Sequence, residues 1–188
     1  LIDMKPAVSS LERHLILTQA ILSWRKNPDL APEPHLAKEQ VEGQIKPAQA
    51  SLMAHELAKL IDNAETEEVD LSNLENLVPD QFSEHWQHTL DFLTIITKVW
   101  PDYLKATDQL SQASRRNLLL NKETERLEQT KPENPIIIAG STGSVPAAAR
   151  LMKAVAKLEN GLIVLPGLDQ DLDEVAFTNL VPNHPEHP

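Results

Sequence analysis

The sequence predicts a mixed, α-dominant fold: a helical region followed by a short βαβ unit. Three observations lead there. Gly is scarce at 5 while Pro reaches 14, a balance that suits helices with Pro at their joints. Apolar residues recur at helical spacing through residues 8–129, as amphipathic helices require. Two aliphatic runs, Ile136-Ile137-Ile138-Ala139 and Leu162-Ile163-Val164-Leu165, flank one more helical stretch.

The first helix is expected over residues 8–24. Ser9 and Glu12 have capping-box spacing. Leu11, Leu15, Thr18 and Leu22 form its apolar stripe, widened by Leu17, Ile21 and Trp24. Three prolines between Pro28 and Pro34 then forbid a helix. A second helix runs to about Asn63, with Pro47 in its first turn and Leu52, Leu57, Leu60 and Ile61 as its stripe. The region from Asp62 to Glu84 carries eight carboxylates and no Lys or Arg. Within it, Asp70 or Ser72 is placed to cap a short helix holding Leu71, Leu74 and Leu77. Ser72 and Glu75 repeat the capping-box spacing. A strong helix follows over residues 81–99, its stripe Trp86, Leu90, Leu93, Ile96 and Trp100, ended by Pro101. Another covers residues 109–129, with Leu110, Ala113, Leu120 and Leu127 inward and Arg115, Arg116, Lys122 and Arg126 outward. The Ile136 run reads as a strand buried on both faces. A tight loop, residues 140–144, leads to a helix over residues 145–158 with Ser144 as N-cap and Asn160-Gly161 closing it. The Leu162 run is a second buried strand, so the unit is a parallel crossover. Two strands alone do not make a stable sheet. Either the helical region packs on them or the rest of the sheet lies outside this sequence. The boundaries expected are 1–134 for the helical subdomain, 135–182 for the βαβ part and 183–188 for a flexible tail.

Composition narrows the function. The 188 residues are 41% hydrophobic but only 4% aromatic, so a core forms and is aliphatic. The net charge is −11, which disfavours general nucleic-acid binding by counterion release. Cys is absent, which excludes disulfides, thiolate metal sites and Cys nucleophiles within these residues. No apolar run reaches membrane-spanning length. The start, Leu1-Ile2-Asp3-Met4-Lys5, is not a signal peptide and lacks an initiator Met, so an internal piece of a longer protein is expected.

Five residues, Gly140, Ser141, Thr142, Gly143 and Ser144, form the sharpest candidate site. They join a strand to a helix N-terminus, where N–H groups and the helix dipole favour an anion or phosphate. The loop has no Walker A Lys and is not GxGxxG; the plain alternative is a turn that satisfies its own helix end. Asp169, Asp171 and Asp173 open like a calcium loop. Glu174 replaces the required Gly and Leu180 the required Glu, so a solvated acidic turn is the better reading. His85 and His88, beside Glu84 and Asp91, have the wrong spacing for a zinc protease helix, and His184 and His187 lie in the tail. No metal site is assigned. Lys98, Lys105, Arg115, Arg116, Lys122 and Arg126 are interleaved with Asp102, Asp108, Glu123 and Glu125. A solvated, ion-paired helix face is the default, and Arg115, Arg116 and Lys122 are the candidate DNA contacts.

Several runs carry a family resemblance. PIIIAGSTGSVP from Pro135 to Pro146, Ala149-Arg150-Leu151, and GLIVLPGLD from Gly161 to Asp169 resemble the double-strand-break repair protein AddB family of alphaproteobacterial type. Ser10-Leu11-Glu12-Arg13, EHWQHTLDFL from Glu84 to Leu93, Trp100-Pro101 and Arg115-Arg116-Asn117 agree with it. AddB is one subunit of the AddAB helicase–nuclease. The resemblance implies that the βαβ unit belongs to a P-loop/RecA-like α/β domain, built like a superfamily I helicase but decayed as a motor. Active relatives hold Mg²⁺ with an Asp-Glu pair after a strand; Gly140 and Ser141 stand there in this chain. The resemblance also implies an AddA-type partner and DNA contact through the intact complex. It places ATP and Mg²⁺ in the motor subunit and an iron–sulfur cluster in a C-terminal nuclease domain. For these residues it implies no cofactor, no catalytic group and a cytoplasmic setting. The other reading is a small α/β domain that binds a phosphate-containing ligand at the Gly140–Ser144 loop.

Overall fold

The computed structural model describes residues 4–24, 45–72, 92–130, 132–167, 171 and 173–179. Helix α1 (Ser10–Trp24) begins at the expected cap, where Ser9 Oγ accepts the Glu12 N–H at 3.1 Å. The reciprocal half of the box gives way to a tertiary bond: the Tyr103 hydroxyl donates to Glu12 Oε1 at 2.7 Å. The buried face of α1 is Arg13, Leu17 and Ile21, whereas Leu11 and Leu15 are exposed. This corrects the expected stripe. Both sides of α1 are apolar, and the partner helix decides between them. That partner, α2 (Pro47–Thr66), offers Asp62, which accepts both Arg13 terminal nitrogens at 2.5 and 2.9 Å.

Pro47 opens α2 as expected, and the Lys46 N–H donates to Gln49 Oε1 at 3.1 Å. Its inner face is Ala50, Ala54, Leu57, Ala58, Ile61 and Ala64. Leu57 and Ile61 were expected there; Leu52 and Leu60 instead face solvent. The small alanines let α1 approach closely, because interaxial distance follows the side chains at the contact. The principal core joins α1 and α2 to Val8, Ile95, Ile96 and Trp100.

Pro101 does not end its helix. Residues 92–94 are helical, Ile95–Val99 form a π-helical turn, and α3 (Trp100–Ala106) continues directly. Proline inside a helix removes an N–H and its ring crowds the carbonyl four residues back. Here the preceding turn widens, and the Trp100 N–H donates to the Ile95 carbonyl, five residues back. The turn therefore brings Ile95 and Trp100 to the core, both 2% exposed, and leaves Val99 at 45%. The expected Leu93–Ile96–Trp100 stripe faces the core, with Leu93 partly buried; Trp86 and Leu90 lie outside the described residues.

Helix α4 (Gln112–Thr130) starts later than expected because Ser111 caps it, its Oγ accepting the Ser114 N–H at 3.2 Å. Ala113 and Leu127 are buried as expected, and Asn117 is buried with them. A short parallel bridge, Val8 N–H to the Leu110 carbonyl and Leu110 N–H to the Pro6 carbonyl, each 2.9 Å, ties the chain start to the head of α4.

The βαβ unit follows. Strands β1 (Ile136–Ala139) and β2 (Gly161–Val164) pair in parallel, Ile136 with Gly161 through Ala139 with Val164. Between them, α5 (Pro146–Val155) packs on both strands and on α4. Two expectations change here. The N-cap is Val145, not Ser144, since Pro146 with its fixed φ occupies the first helical position. The helix ends at Val155 instead of Leu158, and Gly161, expected to close it, is the first residue of β2. A Cβ on Gly161 would lie 1.8 Å from the Val155 carbonyl oxygen, so only Gly permits that approach. After β2, Asp173 Oδ1 accepts the Ala176 N–H at 2.8 Å and starts a short helix, α6 (Glu174–Asn179).

The fold is thus α-dominant with a two-stranded parallel sheet. The segments 28–34 and 183–188, and most of 62–84 beyond Ser72, lie outside the described residues. So does the short helix expected around Leu74 and Leu77.

Candidate functional site

The loop between β1 and α5 has the backbone its glycines permit. Gly140 and Gly143 have φ of +75° and +70°, the left-handed region that favours Gly. The Gly140 N–H completes the strand ladder on the Val164 carbonyl at 3.0 Å. Ser141 Oγ accepts the Gly143 N–H at 3.3 Å, and Thr142 Oγ1 donates to Ser144 Oγ at 3.5 Å. Much of the polarity in the loop is thus directed at the loop itself. The α5 terminus has no side-chain cap. Gly143 lies against α5, where an added Cβ would meet Met152 Sδ at 3.2 Å.

The side chain that could serve an anion from α5, Arg150, is committed elsewhere. Its terminal nitrogens donate to both Glu68 carboxylate oxygens, one at 2.8 Å, and Nε donates to Asn121 Oδ1 at 3.0 Å. This bidentate bond holds the Glu68 carboxyl below its ordinary pKa and raises that of Arg150. Glu68 sits at φ +57° just past α2. Arg150 therefore fastens the βαβ unit to both α2 and α4. The sequence quoted Arg150 only within the motif; the αL turn that brings Glu68 to it is a long-range feature with no local signal.

The candidate DNA residues share α4 but not one direction. Arg115 Nε donates to the Lys5 carbonyl at 3.2 Å, and Arg116 donates to Thr66 Oγ1 at 2.8 Å. Lys122, seven residues after Arg115, returns to the Arg115 side of the helix. Arg126 forms a bidentate pair with Glu123, at 2.7 and 2.8 Å, and this bond lowers the Glu123 pKa. The neighbouring Lys5–Asp108 pair is 2.5 Å. The acidic positions interleaved in sequence are thus partly interleaved in space.

Asp171 and Asp173 are exposed, and the Asp173 carboxylate caps α6. Asp169, Leu180, His85, His88, His184 and His187 lie outside the described residues. Among the described residues, no three His, Asp or Glu side chains form a metal-holding group, and no helix is long and apolar enough to cross a membrane.

The least expected feature is the sheet face turned away from α5. Along both strands, half-buried residues alternate with exposed ones. Ile137, Leu162, Val164 and Leu165 are open to solvent, Ile137 at 59%. The expectation of strands buried on both faces is corrected: α5 covers one face, and among the described residues no helix covers the other. Comparison with protein-family models, curated proteins and solved structures finds no match for this chain.

Proposed function

We propose that this chain is a non-catalytic structural part of a DNA double-strand-break repair helicase–nuclease subunit of the AddB type. In this reading the βαβ unit is one part of a P-loop/RecA-like sheet, and the helices are the inserted subdomain with its flanks. The observation that carries the reading is the uncovered aliphatic face of Ile137, Leu162 and Val164. All-parallel strands with unbroken apolar sequence belong to sheets covered on both sides. A two-stranded pair is also too small to stand alone. Such a unit fits inside a larger α/β domain.

The chemistry supports a non-catalytic role. Metal-assisted phosphoryl transfer needs a carboxylate to hold Mg²⁺ and a group to position water. Gly140 and Ser141 follow β1, and neither carries a carboxylate. The DNA contribution assigned to this region comes from Arg115, Arg116 and Lys122, modest against a net charge of −11.

The test uses the parent polypeptide assembled with its AddA-type partner. Replacing Arg115, Arg116 and Lys122 by Ala is expected to weaken DNA binding and to flatten its salt dependence by up to about one unit of slope per lost phosphate contact. An unchanged slope removes these residues from the DNA interface. Sequencing through the genomic locus tests the family itself. A reading frame that continues into a nuclease motif with clustered cysteines supports it; a stop codon near residue 188 overturns it. Phosphate binding by the Gly140–Ser144 loop is the competing reading. Chemical-shift changes confined to that loop on addition of inorganic phosphate would favour it.

A further inference from the structure

The turn between α5 and β2 ends in Asn160-Gly161, and the fold needs both residues there for unrelated reasons. Gly161 has no room for a side chain, because a Cβ would lie 1.8 Å from the Val155 carbonyl oxygen. Asn160 ties the start of β1 to the start of β2. Its Nδ2 donates to the Glu133 carbonyl at 2.8 Å, and its own main-chain carbonyl accepts the Ile136 N–H at 3.0 Å. The approach to β1 is thus fastened through one side-chain amide, a feature that the proposed function does not use.

Asparagine followed by glycine is also a chemically reactive pair. The glycine nitrogen can attack the asparagine side-chain carbonyl carbon, and no Cβ on the glycine hinders the approach. The attack needs the Gly161 nitrogen, freed of its proton, to reach Asn160 Cγ. In this fold the Gly161 N–H is donated to the Leu158 carbonyl at 3.1 Å, and the Asn160 amide is held on Glu133. Both reacting groups are therefore engaged with other partners, although Asn160 itself is exposed to water.

We propose that Asn160-Gly161 is a deamidation site gated by local opening of the β1–β2 junction, and that the modification keeps the junction from closing again. On opening, the Gly161 nitrogen bonds to Asn160 Cγ and closes a cyclic imide. The Cγ–Nδ2 bond breaks, and the side-chain nitrogen leaves as ammonia with the proton that the Gly161 N–H gives up. Water then opens the imide at either carbonyl. One product is an ordinary Asp; the other is iso-Asp, whose backbone runs through the former side chain and is longer by a methylene. The group that leaves is the donor that held Glu133. A carboxylate in its place meets the Glu133 carbonyl with no proton between them, which costs a buried or half-buried acceptor its partner. The iso-Asp form also displaces the carbonyl that accepts the Ile136 N–H. The pair that the fold requires is thus one that local opening exposes to irreversible change.

The experiment incubates the full chain at mildly alkaline pH, folded and in denaturing urea, and follows residue 160 by peptide mass spectrometry with separation of the Asp and iso-Asp forms. In urea Asn160 should convert faster than Asn121, which Lys122 follows. Conversion in the folded chain should be slower by about thirtyfold or more, the effect of having to release two hydrogen bonds first. Sub-denaturing urea should raise this rate together with hydrogen exchange of the Gly161 amide, since both report the same opening. After conversion and refolding, the Ile136 amide should lose protection, and Asn160→Asp made directly should show a loss as well. Equal rates in folded and unfolded chains overturn the gate. Conversion in urea no faster than at Asn121 overturns the site. An Ile136 amide as protected after conversion as before overturns the block to closure.

Discussion

Removing the Asp62 carboxylate should destabilise the chain far more than its own exposure suggests. The Asp62 side chain is 39% exposed, whereas its partner Arg13 is 11% exposed. Asp62→Ala therefore strands a guanidinium between α1 and α2. Charge centres about 4 Å apart attract by about 4 kcal/mol at an effective dielectric of about 20. Stripping one partner from a fully buried pair costs about 3–5 kcal/mol. Water can enter from the Asp62 side, so about 2–3 kcal/mol is expected for Asp62→Ala. Arg13→Met leaves only a carboxylate that reaches solvent and should cost about 1 kcal/mol. Arg13→Met with Asp62→Ala should recover most of the loss, because neither charge then remains to be desolvated. Urea unfolding of all four proteins, followed by circular dichroism, gives the coupling energy. A cost below about 0.5 kcal/mol for Asp62→Ala, or strict additivity of the two single changes, refutes the reasoning.

Leu17→Ala should cost about 2–5 kcal/mol and Leu15→Ala under about 0.5 kcal/mol, since Leu17 is 1% and Leu15 58% exposed; equal costs in urea would restore the stripe first read from the sequence. The Glu68–Arg150 bond should make stability depend on pH. Its carboxyl is lowered by Arg150, so its contribution is present above the ordinary Glu pKa and lost as pH falls through the folded value. Arg150→Ala should therefore reduce the loss of stability on acidification, measured as urea midpoints across the acid range.

Local chemistry was legible where a residue acts on its immediate neighbours. Ser9 capping α1, Pro47 opening α2 and the aliphatic runs at Ile136 and Leu162 all follow from side-chain shape and hydrogen-bonding capacity. Gly140 and Gly143 likewise marked the one tight turn of the candidate loop. What failed depended on distant partners. The inner face of α1 could not be chosen, because leucines lie on both sides and the deciding group is a charged Arg13 whose partner is 49 residues away. Asn117 has no local signal for its burial, because the carbonyl it bonds belongs to Glu65 of α2, 52 residues away. The bonds of Arg115, Arg116 and Arg150 go to Lys5, Thr66 and Glu68, partners 110, 50 and 82 residues away in sequence that no local pattern reveals. The open sheet face was invisible for a different reason. The Ile136 run describes strands made to be covered, and sequence alone does not locate the cover.

The wide turn at Ile95–Val99 acts as a frame shift written in three dimensions. In a regular helix, Ile95 would share its side with Val99; here it shares it with Trp100. One residue is absorbed without an insertion loop, and everything after it is re-phased by about 100°, the angular step of one helical residue. The interior thereby receives an indole in place of a valine. Deleting one residue between Ile95 and Trp100 would restore a regular four-residue step between them and would leave Trp100 on the core side. A one-residue difference in length at this point would thus be absorbed by the turn, with the indole still at the centre of the helical layer.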